Sequence, residues 1–183
     1  MYIKGKNILI LGAGRSGVAA AGLALSKSPA RVVLSDIKPR SKFPEEALAL
    51  EKKGLIIETD GHSDDSIMKA DVIVISPGIP VDPRWDEMIK RHNKILVGEL
   101  EFAYGFTAGS KAKIIAITGT NGKTTASTLM YEVLKAHKGV KAALAGNVGT
   151  PFCGFAEQAA ELDYIVLEVS SFQLETIREF KPH

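Results

Sequence analysis

The chain has 183 residues, 45% of them hydrophobic and 24% charged, with 23 Lys and Arg against 21 Asp and Glu. Those proportions exclude a disordered tail or a collagen-like chain, and a formal charge of +2 without a basic stripe argues against a nucleic-acid partner. No apolar run approaches the ~18 residues of a membrane span, no signal-peptide core follows Met1, and the single cysteine, Cys153, forbids an internal disulfide. The expected compartment is therefore the cytoplasm, with no membrane partner.

Short apolar runs alternate with longer amphipathic stretches. Asn7–Leu11 predicts a strand buried on both faces, and Ser16–Ser26, rich in Ala and Leu, a helix packed on a sheet. Arg31–Ser35 reads as a second strand and Glu45–Lys53 as a helix stopped by Gly54. A short strand at Leu55–Glu58 and a short helix at Asp64–Lys69 follow. Asp71–Ile75 is the clearest strand, ended by Ser76-Pro77-Gly78. Trp85–Arg91 reads as a helix and Lys94–Val97 as a strand. This succession predicts an α/β fold with a doubly wound, mostly parallel, Rossmann-like sheet.

The rhythm breaks after Val97. Gly98–Phe106 could form a short helix, and the small, polar run Thr107-Ala108-Gly109-Ser110-Lys111 suits a linker. Alternation then resumes with a strand at Ile114–Thr118, a helix at Thr124–Ala136, a strand at Lys141–Leu144, a helix at Phe152–Glu161, a strand at Tyr164–Val169 and the start of a helix at Leu174–Phe180. The expected organisation is a first domain over 1–98, a linker over 99–111 and a second, P-loop-type α/β domain over 112–183. Three strands leave edges and helix faces uncovered, so the second domain is expected to be incomplete. A small complete domain covered by a partner is the alternative.

Two glycine loops carry the chemistry. Gly12-Ala13-Gly14-Arg15-Ser16-Gly17 fits G-x-G-x-x-G between strand and helix: the glycines allow a tight turn, a close phosphate and close helix packing. The helix N-terminus would receive a diphosphate. Asp36, at the end of the second strand, could hold ribose hydroxyls or simply cap the strand. The loop does not choose among NAD, FAD and UDP-sugars.

The second loop, Thr118-Gly119-Thr120-Asn121-Gly122-Lys123-Thr124-Thr125, lies between a strand and a helix. It departs from G-x-x-x-x-G-K-[ST], which would need glycine where Ile117 stands. Gly-Lys-Thr at that junction still suits a triphosphate, with Lys123 against the β- and γ-phosphates and the Thr124 hydroxyl on Mg²⁺. Glu168, near the end of the last strand, is placed to hold a hard cation through oxygen. Ser170, Ser171 and Gln173 follow as hydrogen-bonding groups.

Together with Ser76-Pro77-Gly78-Ile79-Pro80, Gly146-Asn147-Val148-Gly149-Thr150-Pro151 and Leu167–Glu175, these strings make the chain resemble the Mur ligases over essentially all its length. The Phe172-Gln173-Leu174-Glu175 string resembles their D-glutamate-adding branch. The resemblance implies an ATP-dependent amide ligation that joins D-glutamate to UDP-N-acetylmuramoyl-L-alanine through an acyl phosphate, with Mg²⁺, in an enzyme that is monomeric when full-length. It implies ATP contacts at Gly119, Thr120, Asn121, Gly122, Lys123, Thr124 and Thr125. Metal ligation falls to Thr124 and Glu168, and catalysis to Lys123 and Glu168.

The same resemblance implies that Gly14, Arg15, Ser16, Asp36 and Lys38 hold the UDP part. Ser76, Pro77 and Gly78 would hold the sugar-diphosphate, and Asn147, Ser170 and Gln173 would lie near the muramoyl-alanine end. The family's uracil-contacting arginine is Lys38 here, after Ile37 instead of a hydroxyl residue; lysine donates without arginine's planar fork. The family's Asn-x-Thr-x-Asp-His segment, its modified lysine and its D-glutamate domain are not found in this sequence, so this chain alone is expected to turn over little. His183 reads as a chain end, while His62, His92 and His137 lack metal-ligand spacing. An NAD-dependent oxidoreductase would leave the second loop unused; a non-catalytic nucleotide-binding module would use both loops without chemistry.

Overall fold

The computed structural model describes residues 1–107, 109–147 and 149–183. Ala108 of the expected linker and Val148 of the Gly146–Pro151 string lie outside the described residues. The chain divides into two compact units, Met1–Glu99 and Leu100–His183.

The first unit is a five-stranded, all-parallel sheet in the order β3-β2-β1-β4-β5. Its strands are β1 (Asn7–Leu11), β2 (Arg31–Ser35), β3 (Leu55–Glu58), β4 (Val72–Ile75) and β5 (Ile95–Gly98). The helices are α1 (Arg15–Leu25), α2 (Glu45–Glu51), α3 (Asp64–Lys69) and α4 (Pro83–Arg91). All four residues of β4, Val-Ile-Val-Ile, are buried, as a strand covered on both faces requires. Alternation sorts the apolar side chains by face. Leu9, Leu11, Val33, Ile73 and Ile75 form one cluster with Ile67 and Ala70 from the end of α3 and Trp85 and Ile89 of α4. Helix α1 packs on β1 and β2, and its small residues Ala20, Ala21 and Ala24 are fully buried. Helices α3 and α4 begin where side chains replace missing backbone partners: the Ser63 hydroxyl accepts from the Ser66 N–H, and the Asp82 carboxylate from Arg84 N–H, with Pro83 in the first turn.

Helix α5 (Glu99–Thr107) occupies most of the segment expected as a linker. The second unit holds a three-stranded parallel sheet, β6 (Lys113–Ile117), β7 (Ala142–Gly146) and β8 (Tyr164–Glu168), in the order β6-β8-β7. Helix α6 (Lys123–Ala136) packs against all three strands. Its outer side is apolar and exposed at Leu129 and Val133, which keep 63% and 50% of their surfaces.

Two expected helices do not form. Residues 152–161 instead make two 3₁₀ turns, Phe152–Gly154 and Ala159–Glu161. Four N–H groups in the run bond three residues back: Gly154 to Pro151, Phe155 to Phe152, Gln158 to Phe155 and Glu161 to Gln158. Gly154 sits at the break, and this tighter winding is sustained only in short pieces. Beyond a 3₁₀ turn at Ser171–Leu174, residues 174–180 also leave the helical path. The buried Glu101 carboxylate of α5 accepts the backbone N–H groups of Arg178, Glu179 and Phe180 at 2.9, 3.0 and 2.9 Å. Those donors cannot then continue an α-helical ladder. Among the described residues no helix is long and apolar enough to cross a membrane.

Candidate functional site

The first candidate site lies at the carboxyl ends of β1, β2 and β4, where the strand order reverses direction. The glycine loop ends in α1, with Gly14 at its N-cap and Arg15 and Ser16 in its first turn. Gly17 is where close approach is obligatory: a Cβ there would overlap the Gly12 carbonyl and crowd the Ser76 hydroxyl. Gly14 has open space where its Cβ would be, leaving its backbone accessible. Asp36 is buried and already engaged. Its Oδ2 accepts the Ala13 N–H at 2.6 Å and its Oδ1 the Lys38 N–H at 3.0 Å, so it ties the loop to the end of β2. Ser76, also buried, donates to the Gly12 carbonyl at 3.1 Å. Gly14, Arg15, Ser16, Asp36, Ser76, Pro77 and Gly78 thus come from three loops onto one sheet edge. Lys38 is exposed beyond Asp36.

A cavity of about 480 Å³ opens beside them, lined by Asp36, Ile37, His62, Ile79 and Trp85 among others. Its size is that of a small-ligand site. His62 and Trp85 escape a reading of the sequence because neither belongs to a glycine string. The register of β2 on β3, with Ser35 beside Glu58, is what carries the turn holding His62 to the Asp36 strand end. The His62 and Trp85 rings meet edge to face, 5.2 Å between centroids. Burial holds the imidazole pKa below its ordinary value, and the Asp36 and Glu58 charges only partly oppose this.

The second site lies in the other unit. The loop Thr118–Gly122 is exposed, and Gly122 caps α6 in a left-handed conformation, φ +76°, which glycine adopts freely. Lys123 Nζ donates back across the loop to the Gly119 carbonyl at 2.7 Å and lies 3.4 Å from that of Thr120. Behind it Glu168 is buried, and its carboxylate meets neutral donors: the Thr124 hydroxyl at 2.7 Å and the Asn147 amide at 3.1 Å. Parallel pairing of β7 and β8, Gly146 beside Glu168, brings Asn147 to that carboxylate. A buried carboxylate facing a hydroxyl and an amide, without an ion pair among the described residues, is a donor set suited to a hard cation that completes its shell with phosphate oxygens and water. Among the described residues no cluster of three or more His, Cys, Asp or Glu could hold a metal unaided. Ser170 and Gln173 satisfy each other in a capping box, the Ser170 N–H donating to Gln173 Oε1 at 2.9 Å.

Residues 117–182 match the Mur ligase middle domain. Over 182 residues the chain is 41% identical to a UDP-N-acetylmuramoylalanine–D-glutamate ligase of Koribacter versatilis, covering all of this chain and 39% of that protein. It is 40% identical, with the same coverage, to the protein of that name from Geotalea daltonii. The chain therefore spans about two fifths of the length of these curated relatives. A murein peptide ligase from Psychrobacter arcticus superposes with a TM-score of 0.55 at 21% identity, over 92% of this chain and 39% of that one. A UDP-N-acetylmuramate:L-alanyl-gamma-D-glutamyl-meso-diaminopimelate ligase from Neisseria meningitides gives 0.55 at 20%, over 91% and 55%. These two structures share the fold.

Proposed function

We propose that the chain belongs to the Mur ligase family, whose middle domain residues 117–182 match, and that it forms the nucleotide-binding part of an ATP-dependent ligase joining D-glutamate to UDP-N-acetylmuramoyl-L-alanine. The observation that carries the reading is the convergence of Thr124, Asn147 and the buried Glu168 behind an exposed Gly-Lys-Thr loop. In this reading the enzyme is a cytoplasmic monomer, and its domains are a UDP-substrate domain over 1–98, a connection over 99–111 and the ATP-binding part from 112.

The reaction must convert a carboxylate, a poor electrophile, into an amide. The substrate's carboxylate oxygen attacks the γ-phosphorus of ATP, ADP leaves, and an acyl phosphate results. The D-glutamate amine then attacks the acyl carbon, loses a proton and expels phosphate. Most of the catalysis is positioning and charge stabilisation. Gly119, Thr120, Asn121 and Gly122 offer loop backbone, and Thr125 the first turn of α6, to the phosphates. Lys123 releases its carbonyl contacts to bind them. Thr124 and Glu168 hold Mg²⁺, which when bound supplies charge neutralisation on the phosphates. Gly14, Arg15, Ser16, Asp36 and Lys38 bind the UDP part, and Ser76, Pro77 and Gly78 the sugar-diphosphate. Asn147, Ser170 and Gln173 serve the muramoyl-alanine end.

The test is calorimetry of this chain with UDP-N-acetylmuramoyl-L-alanine, UDP and NAD, and with Mg-ATP before and after Lys123→Ala. Binding led by the uridine diphosphate part, silence with NAD and loss of ATP binding in the variant are expected. NAD binding that UDP cannot displace would replace the reading with an oxidoreductase.

A further inference from the structure

We propose that His62 is a specificity-determining residue of the first site: its Nε2 accepts the N–H of a pyrimidine base and so selects uracil over cytosine. The inference rests on the UDP-substrate reading and adds to it a residue outside the glycine strings. Three contacts of one hydroxyl fix the imidazole. Ser35 Oγ lies 3.0 Å from Glu58 Oε1, 3.0 Å from the Gly61 carbonyl and 2.8 Å from His62 Nδ1. The first two neighbours are acceptors, and a hydroxyl has one proton. That proton goes to an oxygen; otherwise two oxygen pairs would face each other without hydrogen. Ser35 Oγ must then accept from His62, which puts the imidazole proton on Nδ1 and leaves a lone pair on Nε2.

Several features keep the ring in that state and in that place. Glu58 is held as a carboxylate: burial pushes its pKa up, but hydrogen bonds from Ser66, the Ser63 backbone, Ser35 and the Ser63 hydroxyl outweigh this and leave it lowered. Partial burial keeps the imidazole neutral near pH 7 against the pull of Asp36 and Glu58. Trp85, itself buried, packs edge to face on the ring. His62 lines the cavity together with Asp36, one of the residues assigned to the UDP part. Uracil carries an N–H at the position where cytosine carries a bare nitrogen, so an acceptor there pairs with one base and repels the other.

The experiment measures UDP and CDP binding to the whole chain by calorimetry at pH 7.5 for the natural protein, His62→Ala and His62→Gln. The two ligands share ribose and diphosphate, so a damaged fold weakens both and leaves their ratio alone. The natural protein is expected to prefer UDP, and His62→Ala to reduce that preference by about fivefold or more. His62→Gln, whose amide oxygen accepts, should retain part of it. An equal ratio in all three proteins overturns the inference while leaving the UDP site standing. A natural protein that binds neither nucleotide overturns both.

Discussion

Gly14 and Gly17 separate two uses of glycine three residues apart. At Gly17 a methyl group would strike the Gly12 carbonyl, a backbone atom that cannot swing aside. Gly17→Ala should therefore destabilise the first unit by about 2–3 kcal/mol, read from urea unfolding of this chain. At Gly14 the added methyl meets nothing. Gly14→Ala should melt like the natural protein but weaken UDP at least several-fold, because the methyl fills the space in which a diphosphate would approach the backbone. Equal UDP binding would remove the loop from the site. Both glycines are visible in the sequence pattern; their different duties are not, because the neighbours of Gly17 include Ser76, brought in by the pairing of β1 with β4.

Pairs of elements hold charges whose purpose is structural. Glu58, at the end of β3, gathers Ser35 of β2, Ser63 at the N-cap of α3 and Ser66 within it. Its pKa is lowered on folding, so the stability it contributes is present above the ordinary glutamate value and is lost as pH falls through the folded value. Acid titration of unfolding should show this loss starting below about pH 5 and reduced in Glu58→Gln. The buried Glu101 of α5 similarly holds the three consecutive N–H groups of residues 178–180. Glu101→Ala should cost about 2–3 kcal/mol and speed hydrogen exchange at those three amides. Unchanged exchange would show that other contacts hold the segment.

The strands were the most legible elements, since β-branched runs such as Val72–Ile75 admit few other readings. The helix expected at Leu174–Phe180 failed because nothing local reveals a carboxylate arriving from 77 residues away. Likewise the second glycine loop and Glu168 were readable as separate signals. Their meeting with Asn147 needed the β7–β8 register, and the His62–Trp85 wall needed the placement of β3 and α4.

At the scale of the whole molecule the charge is nearly balanced, at +2, and the single cysteine is buried. The most exposed apolar side chains of α6, Leu129 and Val133, share one helix face, and that surface is where self-association is expected. Leu129→Glu with Val133→Gln should leave stability within about 0.5–1 kcal/mol while lowering self-association in light scattering at high concentration. A large loss of stability would show that the face is packed in solution. The candidate sites, on loops at strand ends, should be untouched, and ATP binding by the double variant checks that.

The grip of Glu101 on residues 178–180 also sets an order in time. During synthesis the carboxylate leaves the ribosome well before its three amide partners have been made, and α5 must wait with an acid that its final surroundings bury. Until residue 180 has emerged, β6, β7 and β8 have all been made but the clasp between α5 and residues 178–180 has not. A nascent chain halted just short of that point should therefore be open to proteases along α5, and one halted after residue 180 has emerged should be closed.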